Sequence, residues 1–285
     1  MSGVFQSLIN WIRREPVLFI SAVCAALSTL LSPPSAAYLD YIDWRVLALL
    51  FCLMSVVGGL QGCGVFAVLA QRLLSGERRT RLLVLALVLL PFFTSMLVTN
   101  DVALITFVPF AILVLGLIGR TELLCYVVVL QTLAANLGSM ATPVGNPQNL
   151  YLYASFSLDA GSFFPLMLPL TLVSLAGLSF ACLRAPSEGL RVTFPQPAEI
   201  RRPAWAAGLG VLFLLCLLAV FHLLHYLVVL AVVLASLLAA DRPLLRRVDY
   251  SLLLTFICFF IFAGNLGAAP ALRTAISTVL ARNTA

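Results

Sequence analysis

The chain has 285 residues, 62% of them hydrophobic and 10% charged, with a mean hydropathy of +1.09 and a formal net charge of +6. A soluble domain carries about 25% charged residues, so most of this apolar surface is expected to face lipid. A water-soluble enzyme, a nucleic-acid binder and a disordered tail are therefore excluded.

In chain order, Arg13 and Arg14 precede an apolar run at about 17–32, read as a retained first membrane helix. Further runs follow at about 45–70, 82–118, 123–155, 162–183, 204–221, 226–240 and 251–267. With the N-terminus in the cytoplasm, 14 of the 17 basic residues fall on the cytoplasmic side, leaving Arg45, Arg273 and Arg282 outside. All 17 are arginine, and they punctuate apolar runs without clustering around aromatics, so they do not argue for nucleic acid.

That topology holds if the segment at 82–118 returns to its starting side. Between Arg81 and Arg120 lie 38 residues with one charge, Asp101. A single helix of that length would run about 57 Å, against a hydrocarbon core of about 30 Å. The expectation is a re-entrant hairpin tipped by Thr99, Asn100 and Asp101, its limbs kinked by Pro91 and Pro109. The next span is interrupted too: Ala135–Leu150 reads ANLGSMATPVGNPQNL, with Gly138, Gly145, Pro143, Pro147 and three asparagines. Broken backbone at membrane depth is tolerated only where protein or a hydrated cavity satisfies it. Two adjacent breaks point to one buried polar site.

Residues Asp43–Leu60 align without gaps to Asp249–Leu266, with identities at Asp43/Asp249, Leu47/Leu253, Cys52/Cys258, Gly58/Gly264 and Leu60/Leu266. The two stretches start on opposite sides in this topology, the signature of an inverted-repeat secondary transporter. The domain reading is an N-terminal region at 1–42, a first repeat at 43–183, a cytoplasmic linker at 184–203 and an incomplete second repeat at 204–285. The first repeat holds a scaffold helix, the hairpin 82–118, the broken helix 123–155 and a following helix. A second unit of the same length would end near residue 362, by roughly matching the first from Asp249. The second hairpin and break are thus expected beyond the chain or from another polypeptide. A non-transporting accessory protein is the alternative from another class.

With Thr99-Asn100-Asp101 followed about 40 residues later by Gly138-Ser139-Met140-Ala141-Thr142-Pro143-Val144-Gly145-Asn146-Pro147-Gln148-Asn149, the chain resembles the ion-transporter superfamily. That group includes citrate permeases, divalent-anion/sodium symporters and arsenite permeases. In the symporters, Ser-Asn-Thr tips the hairpin and the next helix breaks at a GGxxTPxGTPPN-like sequence. Here the third tip position is Asp, closer to the Asn-Asp of arsenite permeases. The resemblance covers about 43–285 and implies an all-α inverted-repeat membrane fold, a homodimer and a bacterial inner-membrane location. It also implies a small anionic solute, either a di/tricarboxylate or an inorganic oxyanion, moved with Na⁺ or H⁺; cation/proton antiport or arsenite-type efflux is the alternative within transport.

The expected binding residues are Thr99, Asn100, Asp101, Asn136, Gly138, Thr142, Pro143, Gly145, Asn146, Pro147 and Asn149, with Asn100, Asp101 and Asn146 as candidate Na⁺ ligands and no other cofactor. A charge at bilayer depth costs about 2.5–3.5 kcal/mol on insertion scales, so Asp101 reads as a cation ligand or proton-coupling carboxylate. The plainer reading makes it an N-cap for a limb beginning at Val102. Gly138 and Gly145 supply positive φ or close approach, and Asn146-Pro147 reads as an N-cap followed by proline at the first helical position. Gln131 and Thr132, about one turn before the break, either line the site or pack. His222 and His225 read as interfacial, without a third ligand nearby. The seven cysteines, odd in number and without a CxxC pair, suggest neither disulfides nor zinc. No P-loop, HExxH or nucleophile elbow competes.

Overall fold

A computed structural model describes residues 15–30, 32–34, 38–74, 76–192 and 197–268. Twelve α-helices follow one another there: α1 Pro16–Ser28, α2 Tyr38–Tyr41, α3 Trp44–Gly62, α4 Val65–Leu74, α5 Thr80–Thr94, α6 Asn100–Leu117, α7 Leu124–Ser139, α8 Pro147–Ser155, α9 Ala160–Leu183, α10 Pro203–Val220, α11 Tyr226–Ala240 and α12 Tyr250–Ala268. Short 3₁₀ turns at Thr121–Leu123 and Arg242–Arg247 precede α7 and α12. Among the described residues, six helices are long and apolar enough to cross a membrane: α3, α6, α7 with its preceding turn, α9, α10 and α12. The chain is an all-α polytopic membrane protein, with one small ribbon among the described residues.

That ribbon pairs β1 (Gly76–Arg79) antiparallel with β2 (Gly189–Val192), setting Gly76 opposite Val192 and Arg79 opposite Gly189. It places part of the linker 184–203 against the segment between α4 and α5. The apolar run at 45–70 is likewise not one helix. It divides at Gly62-Cys63-Gly64, where Gly64 takes φ +81° and its missing Cβ leaves room for the Glu199 carbonyl. Only glycine accepts that conformation without strain.

Two compact units emerge, dividing within α3 after Leu47 and again before Asp249. In the first, α1 packs on α12, and the two run parallel. Ser251 Oγ donates to Glu15 Oε2 at one end, and Asn265 Nδ2 reaches Ser28 Oγ and Tyr38 Oη, each at 2.9 Å, at the other. Parallel packing is what the arginine bookkeeping requires, since both helices begin on the arginine-rich side. Asp43 and Asp249, equivalent in the sequence alignment, play equivalent parts. Asp43 Oδ1 accepts from the Val46 N–H at 3.1 Å, and Asp249 Oδ1 accepts from the Leu252 N–H at 2.9 Å. Each caps a 19-residue helix.

In the second unit, α5, α6 and α7 form the densest packing. Leu83, Leu87 and Leu90 of α5, Phe107, Ala111 and Val114 of α6, and Val127, Leu130 and Ala134 of α7 recur at three- and four-residue spacing and are buried together. Ala103, Ala111, Ala134 and Ala135 let the backbones approach, as in membrane helix packing, where van der Waals contact replaces the hydrophobic drive. The base of the α5–α6 hairpin closes on one residue: the Thr80 N–H donates to the Glu188 carbonyl at 2.8 Å, while Arg120 Nη2 meets the Glu188 carboxylate. Both ends of the hairpin therefore lie together. Its second limb, α6, is by itself long and apolar enough to cross a membrane.

Candidate functional site

The turn at residues 95–99 joins α5 to α6, and the unwound segment 140–146 divides α7 from α8. These two irregular stretches meet. The Asn100 N–H donates to the Gly145 carbonyl at 3.2 Å, and Thr142 Oγ1 donates to the Met96 carbonyl. Asn100 Nδ2 donates to Asn136 Oδ1 at 3.0 Å.

Gly138 and Gly145 are needed for close approach, not for positive φ. A Cβ on Gly138 would fall 2.1 Å from the Phe92 carbonyl oxygen, and one on Gly145 would fall 2.1 Å from that of Ser139. The end of α5 thus lies directly on the end of α7. At α8, Asn146 Oδ1 accepts the Asn149 N–H at 2.8 Å and Pro147 takes the first helical position, where its missing N–H costs nothing.

The break satisfies its own backbone. Asn149 Nδ2 donates to the Met140 and Thr142 carbonyls at 3.0 and 3.2 Å, and Thr142 Oγ1 accepts the Gly145 N–H at 3.1 Å. Buried backbone groups left without partners would each be costly, so Thr142 and Asn149 are occupied in stabilising the break. Pro143, Gly145 and Pro147 are buried with them. The residues that present polar groups outward are a smaller set. Asn136 and Asp101 are exposed, and Thr99 and Asn100 are half-buried beside them.

Asp101 does not take the cap position expected for a limb starting at Val102. α6 begins at Asn100 with Thr99 as its N-cap residue, which places Asp101 inside the first turn. A carboxylate there still meets the positive end of the helix dipole. Sequence reasoning missed Ser139, whose hydroxyl donates to the Asn136 carbonyl at 2.9 Å and accepts from Asn146 Nδ2 at 3.2 Å. Its place inside the glycine-rich motif was the available signal. Gln131 is fully buried among helices, whereas the exposed Thr132 turns its hydroxyl back to the Val128 carbonyl. His222 stacks on Tyr153 at 5.4 Å, and His225 Nδ1 accepts the Leu227 N–H at the start of α11. Among the described residues no cluster of His, Cys, Asp and Glu could hold a metal ion.

The chain is also similar in sequence to known proteins. The chain is 30% identical over 247 residues to the inner membrane protein YbiR of Escherichia coli, covering 84% of this chain and 63% of that protein. It is 27% identical over 248 residues to the uncharacterized transporter MJ0456 of Methanocaldococcus jannaschii, covering 86% and 66% respectively. It is also 34% identical over 136 residues to the silicon efflux transporter LSI3 of rice, covering 47% of this chain and 27% of that protein. The chain thus spans slightly under two thirds of the length of the first two relatives. The family profile described as citrate transporter matches residues 5–283, and the chain belongs to that family.

Proposed function

We propose that the chain acts in secondary active transport of a small anion, with the solute held between the hairpin tip and the break in α7–α8. The observation that carries this reading is the direct hydrogen bonding of tip to break: Asn100 to Gly145 and Asn136, and Thr142 to Met96. A polar pocket at membrane depth needs its irregular backbone satisfied internally, and these bonds do so while leaving Thr99, Asn100, Asp101 and Asn136 at the surface of the site. The first turn of α6 turns its N–H groups toward the same place, which favours an anion.

Asp101 is the coupling group in this reading, binding H⁺ or, with the Asn100 and Asn146 oxygens, Na⁺. The α5–α6 hairpin enters and leaves at the arginine-rich cytoplasmic face as a re-entrant element, with Glu188 at its base. The membrane is a bacterial inner membrane with the N-terminus in the cytoplasm, and the working assembly is a dimer. A di- or tricarboxylate fits the family description; outward movement of an inorganic solute is the alternative, in line with the rice relative's name as a silicon efflux transporter.

The test is flux into proteoliposomes under imposed ΔpH or Na⁺ gradients, comparing the intact chain with Asp101→Asn. Gradient-driven accumulation of citrate, succinate or arsenite by the intact chain, with loss of gradient dependence in the variant, is expected. Equal gradient-driven flux in both removes Asp101 from coupling.

A further inference from the structure

Gln131 lies where α5, α6 and α7 meet, and its side chain is completely buried among Leu87, Phe107 and Leu130. Its Nε2 donates to the Leu87 carbonyl at 2.9 Å and to the Phe107 carbonyl at 3.3 Å. One bond goes to each limb of the hairpin. The first has a definite cause: in a helix the Leu87 carbonyl would accept from residue 91, and Pro91 has no N–H to give. The proline therefore opens an acceptor in the middle of α5, and the amide of α7 takes it.

The other end of the amide is informative. Gln131 Oε1 is buried with no hydrogen-bond partner, a costly condition where water is scarce. A leucine or methionine would fill the same volume without it. What the amide adds over such a side chain is its two donor bonds, both directed at the hairpin.

We propose that Gln131 is a positioning residue that clasps both hairpin limbs to α7, so that tip and break stay in register while the solute site opens and closes. The proposal rests on the reading of tip and break as the solute site. Asn136 lies five residues on from Gln131, and Gly138 contacts the end of α5 just beyond that. Loosening the clasp therefore displaces the tip relative to Asn136 and Gly145 without removing any residue of the site.

The experiment places spin labels on cysteines at the exposed positions Leu97 and Gln148, in the full chain with Cys24, Cys125 and Cys258 changed to Ser. It compares the tip-to-break distance distribution with Gln131→Leu, with Pro91→Ala, and with the two together. Pro91→Ala restores an N–H for the Leu87 carbonyl. The double variant should therefore regain the thermal stability lost in Gln131→Leu but keep the broadened distribution. Flux in Gln131→Leu is expected to fall about tenfold, the scale at which a loosened element alters coupling between sites. A single narrow distribution in Gln131→Leu overturns the proposal. So does a narrow distribution restored by Pro91→Ala, which would show that the amide merely repairs the proline gap. Should Gln131→Leu alone fail to fold, the double variant supplies the measurement. The label distances need no activity: an intact chain without flux sinks the transport reading, whereas an unbroadened variant sinks the clasp.

Discussion

At Gly138, the absent side chain is the determinant. The Phe92 carbonyl occupies the space a Cβ would need, at 2.1 Å, and Ser95 Oγ stands 2.8 Å away. Backbone cannot yield as a flexible side chain can, so Gly138→Ala should destabilise the protein by about 1–3 kcal/mol, as overpacking does elsewhere. Gly116, in the exposed part of α6, has nothing within 4 Å of its Cβ position. Gly116→Ala should leave stability unchanged or raise it by up to about 1 kcal/mol. Thermal unfolding in detergent compares the two; equal melting temperatures would show that α5 and α7 are not in contact at Gly138. The need for glycine was legible in the motif, but not its cause. Positive φ and close approach look alike in sequence, and the atom being approached lies 46 residues away. Gln131 was ambiguous for the same reason, since its partners are carbonyls on two other helices.

Among the elements, α8 depends on its cap more than on its propensity. It has nine residues, too short to persist alone in water. Asn146→Ala removes the acceptor for the Asn149 N–H and the donor to Ser139, and should cost about 1 kcal/mol. Amide exchange at Asn149 should quicken, whereas Asn146→Asp should keep the cap and the slower exchange. Unchanged exchange in the alanine variant would mean that the break, not the cap, fixes where α8 begins. The helical hairpin, the broken helix and this cap could all be read from residue order, because Asn-Pro, paired glycines and a lone charge in a mostly apolar stretch of 38 residues are local signals. The pairing of Gly76–Arg79 with Gly189–Val192 could not, since Gly76–Arg79 shows no alternating apolar pattern and the partners are more than 100 residues apart. The division of α3 from α4 was hidden by continuous hydropathy on both sides of Gly64.

For the molecule as a whole, helix direction is defined within each of the two units. α1 and α12 run parallel, and both hairpin ends reach Glu188. In the second unit the Arg201 N–H also donates to the Cys63 carbonyl at 2.9 Å, and Arg202 pairs with Asp241 at 3.2 Å. The proposed topology predicts that these arginine-flanked ends share the cytoplasmic side of the membrane. The most direct measurement is aqueous accessibility of single cysteines at Thr99 and Asn136 in sealed vesicles, read with an impermeant thiol reagent and compared with a cysteine at the exposed linker residue Ser187. The account predicts slow modification at 99 and 136, slowed further by saturating transported solute, and fast modification at 187 that solute does not alter. Modification at 99 and 136 as fast as at 187, and indifferent to solute, would contradict it.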